Sequence, residues 1–197
     1  MSKIQTAERV SGSDTSDNYV FQRSLLAYVQ AAKLVSGRVL EIGTGSGYGI
    51  EVISPNVDSF VTIDKFETSA REKIKGHSNV EFKKMNVPPL TGFEDNSFDF
   101  VTCVVSIDYL IHPIEVLKEV RRVLKPGGKA LISQSNRCFP SKAIAMWLGK
   151  YSSDRAHLEL INGYAQYAGF TVPRKAFDIT ATVPEGSRDP MYIVELT

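Results

Sequence analysis

Cysteine and histidine are scarce in this sequence, and their scarcity argues against two kinds of site. Two cysteines in 197 residues, Cys103 and Cys138, cannot build a disulfide framework, and they suit a reducing compartment. The three histidines lie too far apart along the chain to give the ligand spacing of a metal centre. We therefore expect neither structural disulfides nor a bound metal.

Long apolar runs and net charge are lacking as well. No run approaches the roughly 18 residues of a membrane span, and the amino terminus has no apolar core like that of a signal peptide. Lys and Arg total 23 against 22 Asp and Glu, a net charge of +1, which does not indicate a nucleic-acid partner. The expectation is a cytoplasmic protein without a membrane span, and the sequence predicts no particular oligomeric state.

What the sequence does have is an ordinary globular composition and one prominent motif. Hydrophobic residues make up 43% and charged residues 23% of the chain, and its length suits a single domain. Residues 39–49 read VLEIGTGSGYG, an apolar run followed by three glycines at alternate positions, which predicts a strand, a tight turn and a helix. Glycine permits positive φ and close approach of a ligand to the backbone, and in open α/β sheets ligands bind at this end of the strands.

An acidic residue at the end of the next predicted strand strengthens the interpretation of this turn as a ligand site. Phe60, Val61 and Ile63 predict a strand that ends at Asp64, 21 positions after Gly43. That is close to the spacing at which an acid after the second strand binds a ribose diol. The helix-sized interval between the two strands also suits a right-handed βαβ unit.

The rest of the chain predicts alternating strands and helices. Residues 1–16 read as a flexible arm. A cover helix over about 17–36 follows, with Asp17 as N-cap and with five residues on its buried face: Phe21, Leu25, Tyr28, Val29 and Ala32. Further strands are predicted at 80–83, 98–105, 130–133, 176–183 and 191–196, and further helical segments at 67–75, from 113 to a stop at 126–128, at 141–148 and at 158–168. The last two strands should form an antiparallel pair.

Four segments taken together resemble the class I S-adenosylmethionine-dependent methyltransferases, and specifically their type 11 group. They are VLEIGTGSGYG, VTIDK, FEDNSFDFV and EVLKEVRRVLKPGGKALIS, in the family's order and spacing within residues 38–135. The resemblance implies a Rossmann-like α/β domain with a seven-stranded, mostly parallel sheet of order 3-2-1-4-5-7-6. Residues 136–197 would form the acceptor side, the closing helix and the last two strands. It also implies methyl transfer from S-adenosylmethionine to an acceptor, here expected to be a small molecule, with S-adenosylhomocysteine as the product.

The same resemblance assigns cofactor-binding residues. Glu41, Gly43 and Gly45 would lie against the amino-acid portion, with Thr44 and Gly47 in the same turn, and Asp64 would hold both ribose hydroxyls. Lys65 would border the adenine, Asn86 with Val87 would contact its edge, and Ser106 would lie beside the cofactor after the fourth strand. Many relatives have aspartate at position 86, and an asparagine there can both donate and accept a hydrogen bond.

Catalytic residues are not fixed by the resemblance. Methyl transfer depends mainly on positioning, and a base is needed only where the acceptor must lose a proton. Candidates follow the fourth and fifth strands: Asp108, Tyr109 and His112, with Ser106, Asn136 and Arg137 nearby. Several relatives have a histidine around 108 and 109, so the identity of a base cannot be carried over, and capping or loop roles remain alternatives for each residue.

Two other functions stay open from the sequence. A dinucleotide-dependent oxidoreductase shares the strand, glycine turn and acid, but its G-x-G-x-x-G fingerprint fails, since Tyr48 or Ile50 stands where the third glycine belongs. A cofactor-binding regulatory or interaction domain without transferase activity would keep the same binding residues.

Overall fold

The computed structural model describes residues 18–67, 69–136, 138–148, 153–171, 175–180 and 190–197, with the side chains of all these residues except 18–21. The strands are β1 (Arg38–Ile42), β2 (Ser59–Asp64), β3 (Val80–Lys84), β4 (Phe98–Val104), β5 (Leu124–Ser135), β6 (Lys175–Asp178) and β7 (Met191–Leu196). The helices are α1 (Asn18–Ala32), α2 (Tyr48–Ile53), α3 (Ala70–Lys73), α4 (Pro113–Val123) and α5 (Asp154–Ala168).

The strands form one seven-stranded sheet, in the order β3-β2-β1-β4-β5-β7-β6. Strands β1 to β5 pair in parallel, whereas β7 is antiparallel to both β5 and β6. The predicted order and the predicted antiparallel strand near an edge are confirmed. Because β1, β2, β4 and β5 run in the same direction, the segments that follow them meet at one edge of the sheet.

The central strands are apolar because both sheet faces are covered. Val101 to Val104 of β4 are all buried, as a strand packed on both sides requires. One face carries α1, α2 and α3 over a cluster that includes Tyr28, Ile50 and Phe60. The other carries α4 and α5 over a cluster that includes Leu117, Trp147 and Ile161. Each cluster packs one face of the sheet against the helices on that side.

Several predicted elements differ from the observed ones. Val29, predicted to be buried, is 37% exposed, while Ala27, Tyr28 and Ala31 form the buried stripe of α1. The predicted helix over 67–75 is only the single turn of α3, followed by a 3-10 turn at Ile74–Gly76, and 141–148 contains only the 3-10 turn Ala145–Trp147. Strand β5 begins at Leu124, six residues before the predicted start at 130, because Leu124 already pairs with Phe98; the pairing is then interrupted and resumes with Lys129 opposite Phe100.

Other differences concern helix ends and segments outside the described residues. Helix α5 begins at Asp154, four residues before the predicted start at 158, with the Ser153 side chain as its N-cap. It ends at Ala168 before Gly169, as predicted, and Gly169 is in the left-handed region. The arm at 1–16 and the end of the predicted strand at 181–183 lie outside the described residues. In the described part of the chain, none of the helices has the length and apolarity that crossing a membrane requires.

Candidate functional site

At the glycine turn, the segment that follows β1 packs closely against the segment that follows β4. Gly43 has a φ of 91°, and a Cβ there would lie 2.6 Å from Ser106 Oγ. Glycine at 43 therefore lets the segment after β4 pack against the segment after β1. At Gly45, by contrast, a Cβ would meet nothing within 4 Å, so the turn presents an open surface there.

Asp64 at the end of β2 is hydrogen-bonded to this turn. Its Oδ2 accepts a hydrogen bond from the Gly45 N–H at 3.0 Å, and its Oδ1 accepts one from the Phe66 N–H at 2.9 Å. Each oxygen keeps a further lone pair. The carboxylate is thus oriented by backbone groups and retains capacity to accept hydrogen bonds from a diol beside Gly45.

Glu41 lies beneath the turn and is fully buried. Its Oε2 accepts a hydrogen bond from the Thr62 hydroxyl, and Thr62 Oγ1 lies 2.6 Å from Thr44 Oγ1. Its Oε1 accepts no well-aligned hydrogen bond from a described residue. The Tyr28 hydroxyl is nearby and favours the ionised form of Glu41. Burial raises the pKa of Glu41 to about 7. The carboxyl group therefore supports the turn from below, through Thr62 and Thr44.

The remaining turn residues are placed close together by backbone bonds. The N–H groups of Gly43 and Thr44 both donate to the Ile63 carbonyl, at 2.9 and 3.0 Å, and the Gly47 N–H donates to the Thr44 carbonyl at 2.8 Å. The structure therefore brings together Glu41, Gly43, Thr44, Gly45, Gly47, Asp64 and Ser106, while their roles toward a cofactor stay predictions.

An aromatic side chain that the sequence analysis missed stands beside Asp64. The Phe66 ring is 50% exposed, and Lys65 Nζ lies 4.8 Å from its centroid. Exposed apolar rings next to a polar anchor suit a flat heteroaromatic ligand. Its position two residues after the strand-end acid could have identified it. Asn86 is exposed and Val87 half-buried in the segment that follows β3.

The segment after β4 carries the predicted catalytic candidates. Val105 has a φ of 47°, which is rare for a β-branched residue, and its N–H donates to Ser133 Oγ of β5 at 2.9 Å. The Ser106 hydroxyl donates to the Val104 carbonyl at 2.9 Å. The Val105 backbone thus turns the chain sharply into residues 106–109.

Asp108 and Tyr109 lie together, and both are held by the segment that follows β5. Asp108 is 1% exposed, and its carbonyl accepts a hydrogen bond from the Ile144 N–H at 3.1 Å. The Tyr109 hydroxyl accepts one from the Phe139 N–H at 3.0 Å, and the two rings stack with centroids 6.4 Å apart. Burial raises the pKa of Asp108 to about 7 and raises the pKa of Tyr109 above its ordinary value.

The other candidates are placed differently. His112 is exposed at the N-cap position of α4, where its side chain makes no capping bond. Asn136 is exposed, and Arg137 lies outside the described residues. Cys138 is half-buried, and burial, with a smaller contribution from the Asp108 charge, raises the pKa of its thiol.

The last third of the chain contributes one large core side chain. Trp147 is 1% exposed, with its ring 4.8 Å from that of His157. Met146 is 51% exposed. The Nδ1 atom of His157 lies 3.2 Å from the Nε2 atom of Gln134. Within the described residues no group of three or more His, Cys, Asp or Glu side chains is placed to hold a metal ion.

Arg23 of α1 is another residue that sequence reasoning did not identify. Burial raises the pKa of Asp108, and the positive charge of Arg23 is a smaller contribution that lowers it. The cover helix was predicted only from its apolar stripe, so none of its polar residues was singled out from the sequence.

Comparison with known proteins agrees with the motifs. Residues 40–132 match the family model described as "Methyltransferase domain". The chain is 29% identical over 168 residues to a Mycolicibacterium smegmatis protein named "Probable S-adenosylmethionine-dependent methyltransferase", covering 85% of this chain and 65% of that protein. It is 28% identical over 131 residues to a "Ubiquinone biosynthesis O-methyltransferase" of Xanthomonas oryzae pv. oryzae, covering 64% and 55%. The chain thus spans between about half and two thirds of the length of these curated relatives.

Solved structures share the fold at low sequence identity. A SAM-dependent methyltransferase from Leishmania major superposes with a TM-score of 0.71 at 14% identity, covering 97% of this chain and 79% of that one. A SAM-dependent methyltransferase from Aquifex aeolicus gives 0.58 at 21% identity, covering 91% and 95%. Residues 40–132 thus match a methyltransferase-domain family model, the sequence relatives are named as methyltransferases, and the fold is shared with solved methyltransferase structures.

Proposed function

We propose that this protein transfers the methyl group of S-adenosylmethionine to a small-molecule acceptor. The observation that carries the proposal is the Asp64 carboxylate held by the Gly45 N–H at 3.0 Å beside an open glycine turn. This arrangement suits a ribose diol on one side and a ligand in contact with the backbone on the other. The names of the relatives support the same cofactor.

The residues present fit the cofactor's chemistry. A Cβ at Gly45 would meet nothing within 4 Å, which supports contact of a ligand with the backbone there, and the exposed Phe66 ring with Lys65 beside it is the proposed adenine side. Asn86 and Val87 would complete the adenine side, and Gly43, Thr44, Gly47 and Ser106 the amino-acid side. When bound, S-adenosylmethionine supplies a methyl group on a sulfonium, which is a good leaving group.

The residues of the protein itself would position the cofactor and the acceptor. Tyr28 of α1 is buried next to the buried Glu41, which supports a role for α1 in covering the turn. Asp108 and Tyr109, in the segment after β4, are the proposed catalytic residues. His112, exposed at the start of α4, is the weakest of the three catalytic candidates.

The acceptor class and the compartment follow from weaker observations. A net charge of +1 gives no electrostatic attraction for nucleic acid, which favours a small molecule as acceptor. Two free cysteines are consistent with the cytoplasm as the compartment. Residues 17–197 are proposed to act as a single domain, with the cofactor core at 38–135.

Ligand-induced stabilisation tests the cofactor assignment. S-adenosylhomocysteine should raise the melting temperature of the wild-type protein, because a ligand that binds only the folded state stabilises it. Asp64→Ala should abolish that shift. Asp58→Ala, an exposed acid just before the other end of β2, is the matched control and should keep it. A shift induced by NAD but not by S-adenosylhomocysteine would contradict the assignment.

Transfer of labelled methyl groups from S-adenosylmethionine to a metabolite extract separates an enzyme from a binding domain. Labelling that requires both the extract and Asp64 excludes a domain that only binds the cofactor. Binding of S-adenosylhomocysteine without any labelling would favour that alternative.

A further inference from the structure

Thr62 of β2 is fully buried, and its hydroxyl links Glu41 to the glycine turn. Glu41 and Thr62 are direct neighbours in the register of β1 and β2, and the Thr62 hydroxyl donates a hydrogen bond to Glu41 Oε2. Thr62 Oγ1 also lies 2.6 Å from Thr44 Oγ1 in the turn. The sequence predicted only that Thr62 lies in a strand, which suits a threonine without any further role.

The directions of these two hydrogen bonds follow from the number of protons. A hydroxyl group has one proton to donate, and the proton of Thr62 goes to the Glu41 carboxylate. Thr44 therefore donates its own proton to Thr62. The result is a hydroxyl relay that runs from Thr44 through Thr62 to Glu41, and both hydroxyl protons are used within it.

Glu41, where the relay ends, is enclosed by the fold. It is fully buried, and a Cβ at Gly49 of α2 would lie 2.7 Å from its Oε1, so this helix packs directly against the carboxyl group. The same Cβ would lie 2.9 Å from Cε1 of Tyr28, which brings α1 to the same place. Because no part of Glu41 is accessible, it acts on a ligand at the turn only through its neighbours.

Three successive residues of β2 hold the turn, each with a different group. Thr62 accepts from the Thr44 hydroxyl. The Ile63 carbonyl accepts a hydrogen bond from the Thr44 N–H at 3.0 Å. The Asp64 carboxylate accepts one from the Gly45 N–H at 3.0 Å. Since Thr44 and Gly45 are adjacent, the position of Thr44 also determines how the Gly45 N–H meets the Asp64 carboxylate.

We propose that Thr62 is a positioning residue for the cofactor, and that it acts by linking the buried Glu41 to the glycine turn. This inference rests on the proposed methyltransferase function and adds to it a residue that does not itself touch the ligand. Without the Thr62 hydroxyl, Glu41 and Thr44 would each keep a buried polar group without its partner, which is costly. The turn would then leave the geometry in which Gly45 orients Asp64.

Thr102 of β4 supplies a matched control on the other side of Glu41. It pairs with Glu41 in the register of β1 and β4 and is also fully buried, but its hydroxyl makes no hydrogen bond with a described residue. Replacing threonine with valine exchanges a hydroxyl for a methyl group. Thr62→Val and Thr102→Val therefore make the same chemical change beside the same carboxyl group, and only the first interrupts the relay.

Calorimetric titration with S-adenosylhomocysteine tests the proposal. Thr62→Val should weaken the affinity about tenfold, as expected for the loss of about one hydrogen bond to a charged group. Thr62→Ser keeps the hydroxyl and should bind nearly as tightly as the wild type, and Thr102→Val should bind as the wild type does. Thr44→Val interrupts the relay at its other end and should reproduce the loss, which keeps the test valid if Thr62→Val does not fold.

Three results of this titration would overturn the proposal. They are a wild-type affinity in Thr62→Val, a loss in Thr62→Ser as large as that in Thr62→Val, and an equal loss in Thr102→Val.

A double-mutant cycle tests whether Thr62 acts through Glu41. A hydrogen bond to a neutral amide is weaker than one to a carboxylate. Thr62→Val should therefore cost less affinity in a Glu41→Gln background than in the wild type. Additive losses would exclude the link between the two residues.

Amide hydrogen exchange, measured without a ligand, separates this proposal from the function on which it rests. The N–H groups of Thr44 and Gly45 should exchange faster in Thr62→Val and at the wild-type rate in Thr102→Val. If S-adenosylhomocysteine does not bind the wild type, the proposed function fails. If it binds the wild type and Thr62→Val equally, and the two amides exchange at the wild-type rate, only the role of Thr62 fails.

Discussion

At the scale of single residues, the site depends on where a side chain is absent. Gly43 and Gly45 are two residues apart in one turn and both have positive φ, yet their surroundings differ. A Cβ at Gly43 would overlap Ser106, whereas a Cβ at Gly45 would enter open space. The sequence predicted a glycine turn but could not predict this difference, because it depends on a residue 63 positions away in sequence.

This difference gives a prediction for stability. Gly43→Ala should lower the free energy of unfolding by about 3 kcal/mol, because positive φ and the overlap with Ser106 both contribute. Gly45→Ala should cost only about 1 kcal/mol, since it incurs the conformational cost alone. Gly76→Ala, where a Cβ would also meet nothing within 4 Å, is the control and should be nearly neutral. Urea unfolding measures all three, and equal losses at 43 and 45 would contradict the packing argument.

At the scale of elements, one arginine of α4 holds the long segment before β4. Arg122 donates from Nη1 to the Phe93 carbonyl at 2.9 Å and from Nη2 to the Leu90 carbonyl at 3.2 Å. Glu119 of the same helix binds Arg122 and also accepts from the Leu90 N–H at 2.9 Å. The segment also contains Asn86 and Val87, so α4 constrains the proposed adenine side from a distance.

Removing this arginine should affect both stability and binding. Arg122→Gln should lower the free energy of unfolding by about 2 kcal/mol, because its hydrogen bonds are charge-assisted but partly exposed. It should also weaken binding of S-adenosylhomocysteine several-fold by loosening residues 86–95. Arg121→Gln, an exposed neighbour on the same helix, is the control. Calorimetric titration measures the affinity, and an unchanged affinity for Arg122→Gln would exclude the coupling.

Elements with strong periodicity were well predicted, and those decided by tertiary contacts were not. Strands β2, β4 and β7 were found within one residue of their predicted bounds, because buried strands need nearly continuous apolar runs. Val29 was wrongly predicted to be buried because the spacing of apolar residues does not determine which side of α1 faces the sheet. Arg23 was missed because its charge contribution at Asp108 depends on the position of α1 in the fold, which the spacing of apolar residues does not predict.

At the scale of the whole molecule, two buried carboxyl groups make folding stability depend on pH. The pKa of Glu41 rises from 4.5 to about 7 and that of Asp108 from 3.8 to about 7, in both cases through burial. The folded state therefore holds more protons than the unfolded state between about pH 4 and 7. The free energy of unfolding should fall as the pH rises through this window.

The measurement is urea unfolding between pH 5 and pH 8. The wild type should lose stability across this range, and Glu41→Gln should reduce the loss by at most about 3 kcal/mol. Asp99 and Glu119 have lowered pKa values, so their contribution is lost only in more acidic solution and does not affect the comparison. A stability that rises with pH over this interval, with the same slope in Glu41→Gln, would contradict the burial of an uncharged Glu41.

The placement of β7 has a consequence for how the protein is made. Residues 191–196 lie between β5 and β6 and hydrogen-bond to both, yet they leave the ribosome after every other strand. Until they emerge, β5 has an open edge of apolar residues that can pair with another chain. The nascent chain is therefore prone to aggregate while β5 has been synthesised and the sixth position of the sheet is still empty.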